Sequence, residues 1–165
     1  MNKVSVILGS DSDVEVFRKV SQVLDDFDVP YERRIISAHR TPDILKDYVL
    51  HAERKGIQVF IAVAGMSAAL PGVIASHTVR PVIGVPVATS SPVLGFDAML
   101  SIIQMPPGVP VAAVAVNGGM NAGLLAVEIL ALADPALAEK LSTFRAKQRD
   151  KAVARDREFG EQGGK

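Results

Sequence analysis

Hydrophobic residues in this chain fall into short β-branched runs separated by amphipathic stretches. Residues 4–8 form a short β-branched run ending at Gly9, which predicts a buried strand. From Ser12 or Asp13 onward, Val16, Phe17, Val20, Leu24 and Phe27 recur at three- and four-residue steps and predict a helix. Residues 31–36 read as the second strand. Thr41 is placed as the next N-cap, with Pro42 at the first helical position and Asp43 beside the positive helix end. That helix should run to about Lys55 and stop at Gly56. The remaining strands are expected at 59–63, 81–85 and 111–116. Helices are expected from the 64–67 turn to about His77, then near 96–104 and 121–132. A long charged helix over 135–159 closes the pattern, and 160–165 reads as a disordered tail.

Strand and helix thus alternate five times. The strands read as uniformly apolar, so both sheet faces should be covered. The expected fold class is α/β: a three-layer parallel sheet with helices on both faces, flavodoxin-like or Rossmann-like, plus the long C-terminal helix. A length of 165 residues fits one domain, over 1–159, with no repeat and no linker. The terminal helix carries Leu137, Leu141 and Phe144 early and mostly charge thereafter. Either it packs on a neighbouring subunit or it is solvated with a frayed end.

Composition narrows the function. Cysteine is absent, which excludes disulfides, thiolate metal sites and a Cys nucleophile, and fits a cytoplasmic protein. Eighteen basic residues balance eighteen acidic ones, so nothing points to a nucleic-acid partner. No apolar stretch reads as a signal segment or a membrane span. The three His are far apart and no carboxylate cluster frames them, so no metal site is expected. Gly-x-Ser-x-Gly is missing, which argues against a Ser hydrolase.

In open parallel sheets, ligands bind beyond the carboxyl ends of the strands. Four turns fall there: 9–13, 37–40, 64–72 and 87–95. In the first, Gly9-Ser10-Asp11-Ser12-Asp13 offers hydroxyls and free amides, but it is neither a Walker A loop nor Gly-x-Gly-x-x-Gly. Two carboxylates would repel phosphate, so Asp11 and Asp13 suit ribose hydroxyls; plain helix capping by Ser12 or Asp13 explains the motif equally well. In Ser37-Ala38-His39-Arg40, Arg40 suits a phosphate or carboxylate clamp and His39 can move protons near neutral pH. His51 and His77 read as surface or capping residues. The third turn, with Ala64, Gly65, Met66, Ser67 and Leu70, is small and apolar. Its amides can face a planar ligand or a small uncharged molecule, or its small residues can serve tight helix–sheet packing. Met66 reads as core or pocket wall.

Taken in order, Gly9-Ser10-Asp11-Ser12-Asp13, Ser37-Ala38-His39-Arg40-Thr41-Pro42, Ala64-Gly65…Leu70-Pro71-Gly72, residues 81–87, residues 100–106 and residues 121–126 resemble the N5-carboxyaminoimidazole ribonucleotide mutase (PurE) family over about residues 3–145. The resemblance implies conversion of N5-carboxyaminoimidazole ribonucleotide to 4-carboxy-5-aminoimidazole ribonucleotide without metal or organic cofactor, in a homo-octamer. It implies that His39 handles the protons, that Ser10, Asp13 and Arg40 bind substrate, and that Ser37 lies beside them. The third loop departs from the family's usual Gly-Gly-Ala-Ala-His-Leu-Pro-Gly, with Ala69 where the second His is usual. Ser67 is similar to related carboxylases that use CO2 directly, although those carry Lys where this chain has Arg40. The same loop is similar to a PurE-like carboxylase of a pyridinium nucleotide. A non-enzymatic nucleotide-binding module is the reading from another class, since fold alone permits it.

Overall fold

The computed structural model describes residues 3–88 and 93–162. Five strands and six helices follow one another as β1 (Val4–Leu8), α1 (Val14–Asp26), β2 (Tyr31–Ile35), α2 (Pro42–Arg54), β3 (Val59–Gly65), α3 (Leu70–Ala75), β4 (Val82–Val87), α4 (Phe96–Ile103), β5 (Ala112–Ala113), α5 (Gly119–Ala131) and α6 (Pro135–Gln162). All strand pairs are parallel, in the order β2-β1-β3-β4-β5. This is the flavodoxin-like order, whose direction of winding reverses between β1 and β3. Backbone contacts divide the chain into two compact units, Met1–Ile129 and Leu130–Lys165.

In the first unit, the pleat sorts side chains onto two faces. Ile7, Ala62 and Gly84 stand in register on one of them. Leu45 and Val49 of α2, Ile74 of α3 and Ile102 of α4 join Ile7, Phe60 and Ala62 in one buried cluster there. Val4, Val6, Leu8, Ile61, Val63 and Val85 alternate with these and are also buried. Their face is covered by α1, because Phe17 meets Tyr31 edge-on and Tyr31 pairs with Val4. The start of α5 lies on α1: a Cβ at Gly123 would come 2.8 Å from the Val23 Cβ.

Two strands differ from expectation. β2 is not apolar: Glu32, Arg33 and Arg34 occupy it, and every residue is partly or fully exposed, as befits an edge. The arginines flank it, Arg33 over the Phe17 ring on one face and Arg34 over the Tyr48 ring on the other. Tyr48 ties α2 to this edge by donating to Glu32 Oε1 at 2.5 Å while sharing a 2.6 Å hydrogen bond with buried Ser5. Burial and the bond to Glu32 raise the Tyr48 hydroxyl above the ordinary tyrosine range. β5 keeps only two paired residues, both exposed, instead of the six expected. Beyond them the chain runs on beside β4 with an irregular ladder: Val114 N reaches Gly84 O and Asn117 N, at a left-handed φ of 57°, reaches Pro86 O. Helices elsewhere begin and end within a few residues of expectation.

The second unit is dominated by α6. Asp134 accepts from the Leu137 amide at 3.4 Å, and Leu137 and Leu141 are buried. From Arg145 through Glu161 every side chain is exposed. The helix runs to Gln162, three residues past the expected end at about 159, and 163–165 lie outside the described residues.

Candidate active site

Because β1 and β3 are neighbours and β2 flanks β1, the turns after all three strands meet at one carboxyl edge. There they enclose a cavity of about 620 Å³. Ser10, Ser12 and Asp13 line it from the first turn; Ser37, Ala38, His39 and Arg40 from the second; Ala64, Gly65, Met66, Ser67 and Leu70 from the third. Twelve of the thirteen residues singled out in the sequence thus share one wall. The exception is Asp11, which is exposed outside the lining and accepts from the Ser10 hydroxyl at 2.9 Å.

The first turn is a single turn of 3-10 helix, Asp11–Asp13, closed by a capping box. Ser10, rather than Ser12, is the cap: its hydroxyl accepts from Ser12 N at 3.4 Å, while Asp13 Oδ2 accepts from Ser10 N at 3.0 Å. The Ser12 hydroxyl reaches Asp13 Oδ1 at 3.4 Å. Asp13 is buried, and that burial raises its carboxyl above the usual range, against the lowering effect of these hydrogen bonds. Asp13 therefore completes the capping box as its third helical residue and also borders the cavity. Gly9 also lines the cavity, tied to β3 by its amide on Val63 O at 2.9 Å.

In the second turn, Ser37 organises its neighbours. Its hydroxyl accepts from Arg40 N at 3.2 Å and from Arg40 Nε at 3.3 Å. The Thr41 hydroxyl donates to Ser37 O at 3.0 Å, so Thr41 holds the expected N-cap position without capping helix amides by its side chain. His39 and Arg40 stay exposed at the cavity. His51 is exposed in the last turn of α2 and His77 half-buried after α3, both outside this cavity.

The third turn is tight. Ala68 N reaches Met66 O at 2.8 Å and Ala69 N reaches Ser67 O at 2.7 Å. Met66 holds a left-handed φ of 53°. Ala68 and Ala69, within the 64–72 turn but outside the expected site residues, line the cavity as well. Their place between Ser67 and Leu70 on the same turn was the available signal. The fourth turn, 87–95, runs through residues 89–92, which lie outside the described residues. Among the described residues, no group of three or more His, Asp or Glu could hold a metal ion, and no helix is long and apolar enough to cross a membrane.

The cavity can therefore hold an anion at Arg40, accept hydroxyl donors at Asp13 and move protons at His39, beside a wall of small apolar residues. Known proteins resemble the chain over most of its length. The chain is 52% identical over 145 residues to the N5-carboxyaminoimidazole ribonucleotide mutase of Pyrococcus abyssi, covering 88% of this chain and 83% of that one. It is 49% identical over 150 residues to a chloroplastic phosphoribosylaminoimidazole carboxylase of Vigna aconitifolia, covering 91% of this chain and 27% of that one. The crystal structure of Treponema denticola PurE superposes with a TM-score of 0.83 at 28% identity, over 94% of this chain and 96% of that one. The AIR carboxylase family model matches residues 3–151, and the chain belongs to that family.

Proposed function

We propose that the chain is an N5-carboxyaminoimidazole ribonucleotide mutase of purine biosynthesis. The observation that supports this most is the meeting of His39, Arg40 and Asp13 at one cavity walled by Gly and Ala, in a chain half identical to a mutase. Arg40 holds the substrate phosphate by charge-assisted hydrogen bonds. Asp13 accepts from ribose hydroxyls, with Ser10, Ser12 and Ser37 as neighbouring polar contacts. The heterocyclic ring then lies between His39 and the Ala64–Leu70 turn.

The reaction balances with a single proton carrier. The N–C bond to the carboxyl group breaks, CO2 is released into the site, and the exocyclic nitrogen takes up a proton. CO2 then bonds to the ring carbon, which gives up its hydrogen to restore aromaticity. One proton has moved from carbon to nitrogen, so a His39 that gives one and receives one returns to its starting state. Ala69, where the family usually has a second His, leaves this balance intact. Orientation and retention of CO2 in a site shielded from water supply much of the rate. The mechanism requires neither a metal nor an organic cofactor. We further propose a homo-octamer in the cytoplasm, with the exposed stretch of α6 meeting a neighbouring subunit.

The alternative is direct carboxylation of aminoimidazole ribonucleotide by CO2, favoured by the likeness to the phosphoribosylaminoimidazole carboxylase of Vigna aconitifolia. Purified protein given each substrate in turn, with bicarbonate varied, separates the two. The mutase turns over the N5-carboxy compound without added bicarbonate. Turnover of aminoimidazole ribonucleotide with CO2, and none of the N5-carboxy compound, overturns the proposal.

A further inference from the structure

Met66 combines two properties that its neighbours lack. It lines the cavity, yet the residue is 57% exposed, whereas Leu70, the other large apolar residue of that wall, is 2% exposed. The remaining apolar lining residues are Gly or Ala, which border a bound ring but are too short to reach over its face. Met66 also stands at a φ of 53°, a region that residues with a Cβ enter at a cost, and its thioether has no amide or carboxyl group with which to offset that cost locally. The tight bonds of Ala68 and Ala69 back onto Met66 O and Ser67 O hold the turn in this shape. A strained position that keeps a large apolar side chain uncovered at the mouth of a site is spending stability on that side chain.

We propose that Met66 is the cover of the site: its thioether closes over the heterocyclic ring of the bound nucleotide and holds released CO2 against it. The inference rests on the mutase reading and adds the residue that keeps the carboxyl group from escaping. Thioethers are flexible and polarisable, and they pack favourably against aromatic rings. A side chain already at the mouth can exclude water once the ring lies beneath it, and CO2 formed under it must recombine or pass it.

The test measures how turnover of N5-carboxyaminoimidazole ribonucleotide partitions between the 4-carboxy product and free aminoimidazole ribonucleotide. Met66→Ala removes the cover and keeps a Cβ at the positive φ, Met66→Gly removes both cover and strain, and Met66→Leu keeps both. A cover worth about one apolar contact with the ring makes Ala and Gly release about two- to tenfold more of the uncarboxylated nucleotide per turnover, while Leu, which keeps the apolar bulk without the sulfur, stays closer to wild type than either. Equal partitioning in all four proteins overturns the inference while leaving the mutase reading standing. No carboxy-shifted product from wild type overturns the mutase reading and the inference with it. A readout independent of turnover is the Met66 methyl resonance in isotopically labelled protein. It shifts upfield under the ring current when the product nucleotide binds, and an unmoved resonance at saturating nucleotide counts against the cover.

Discussion

Gly84 lies in the middle of the sheet, paired with Ala62 on one side and Ala113 on the other. A Cβ added there would sit 2.5 Å from Ile102 Cγ2 and 3.2 Å from Pro71 Cγ. Ile102 is fully buried in α4, and Pro71 is buried in the first turn of α3, so neither can swing into solvent. Gly84→Ala must push both helices off the sheet. Overpacking of this kind costs about 1–3 kcal/mol. For a chain of this size each kcal/mol lowers Tm by about 2–4 °C, so the expected drop is about 2–12 °C. The closer contact bears on α4, and the one at Pro71 bears on α3, whose N-cap Ala69 and first residue Leu70 wall the cavity. Nucleotide affinity should therefore fall along with stability. Thermal unfolding followed by circular dichroism measures the first effect and calorimetry the second. Gly9→Ala is the matched control for stability, because its Cβ would meet its nearest neighbours at an ordinary 3.6 Å. If Gly84→Ala melts no lower than Gly9→Ala, the helices do not rest on this glycine and the packing argument fails.

His39→Asn should cut turnover by about 10²–10⁴-fold while product nucleotide still binds in calorimetry; undiminished turnover would remove the proton-transfer role. Arg40→Ala should weaken the phosphorylated nucleotide by about 10- to 100-fold and leave the dephosphorylated nucleoside unchanged. Equal losses for the two would show that Arg40 does not clamp phosphate. Asp13 predicts a pH dependence of stability. Its carboxyl holds a proton more tightly folded than unfolded, so its contribution is most favourable below the unfolded value of 3.8 and declines as pH rises from there through the raised folded value. Asp13→Asn lacks this slope, so urea denaturation across acid pH should show wild type losing ground to the variant as pH rises through that window. The opposite slope would refute the assignment.

What could be read from the sequence was local. β1 appears with its expected bounds because an apolar run ending in Gly is a strong signal, and Pro42 marks the start of α2 for the same reason. Convergence of three turns on one cavity followed from the parallel order alone. What remained hidden depends on neighbours. The apolar stretch at 111–116 promised a full strand, but regular pairing ends at Ala113 and only scattered bonds from Val114 and Asn117 continue it. The charges of β2 were visible and mark an edge, yet reading all strands as apolar passed over them. Asp11 and Asp13 are indistinguishable in the motif; only the 3-10 turn separates them, burying one and exposing the other. The left-handed backbone at Met66 carries no Gly or Asn to announce it.

The central claim is that one carboxyl group moves within one nucleotide without leaving the site. N5-carboxyaminoimidazole ribonucleotide labelled isotopically at its carboxyl carbon, supplied in unlabelled bicarbonate, tests it directly. A carboxyl group retained in the site leaves its label in the 4-carboxy product in most turnovers. Product whose carboxyl carbon comes from the bicarbonate would contradict it.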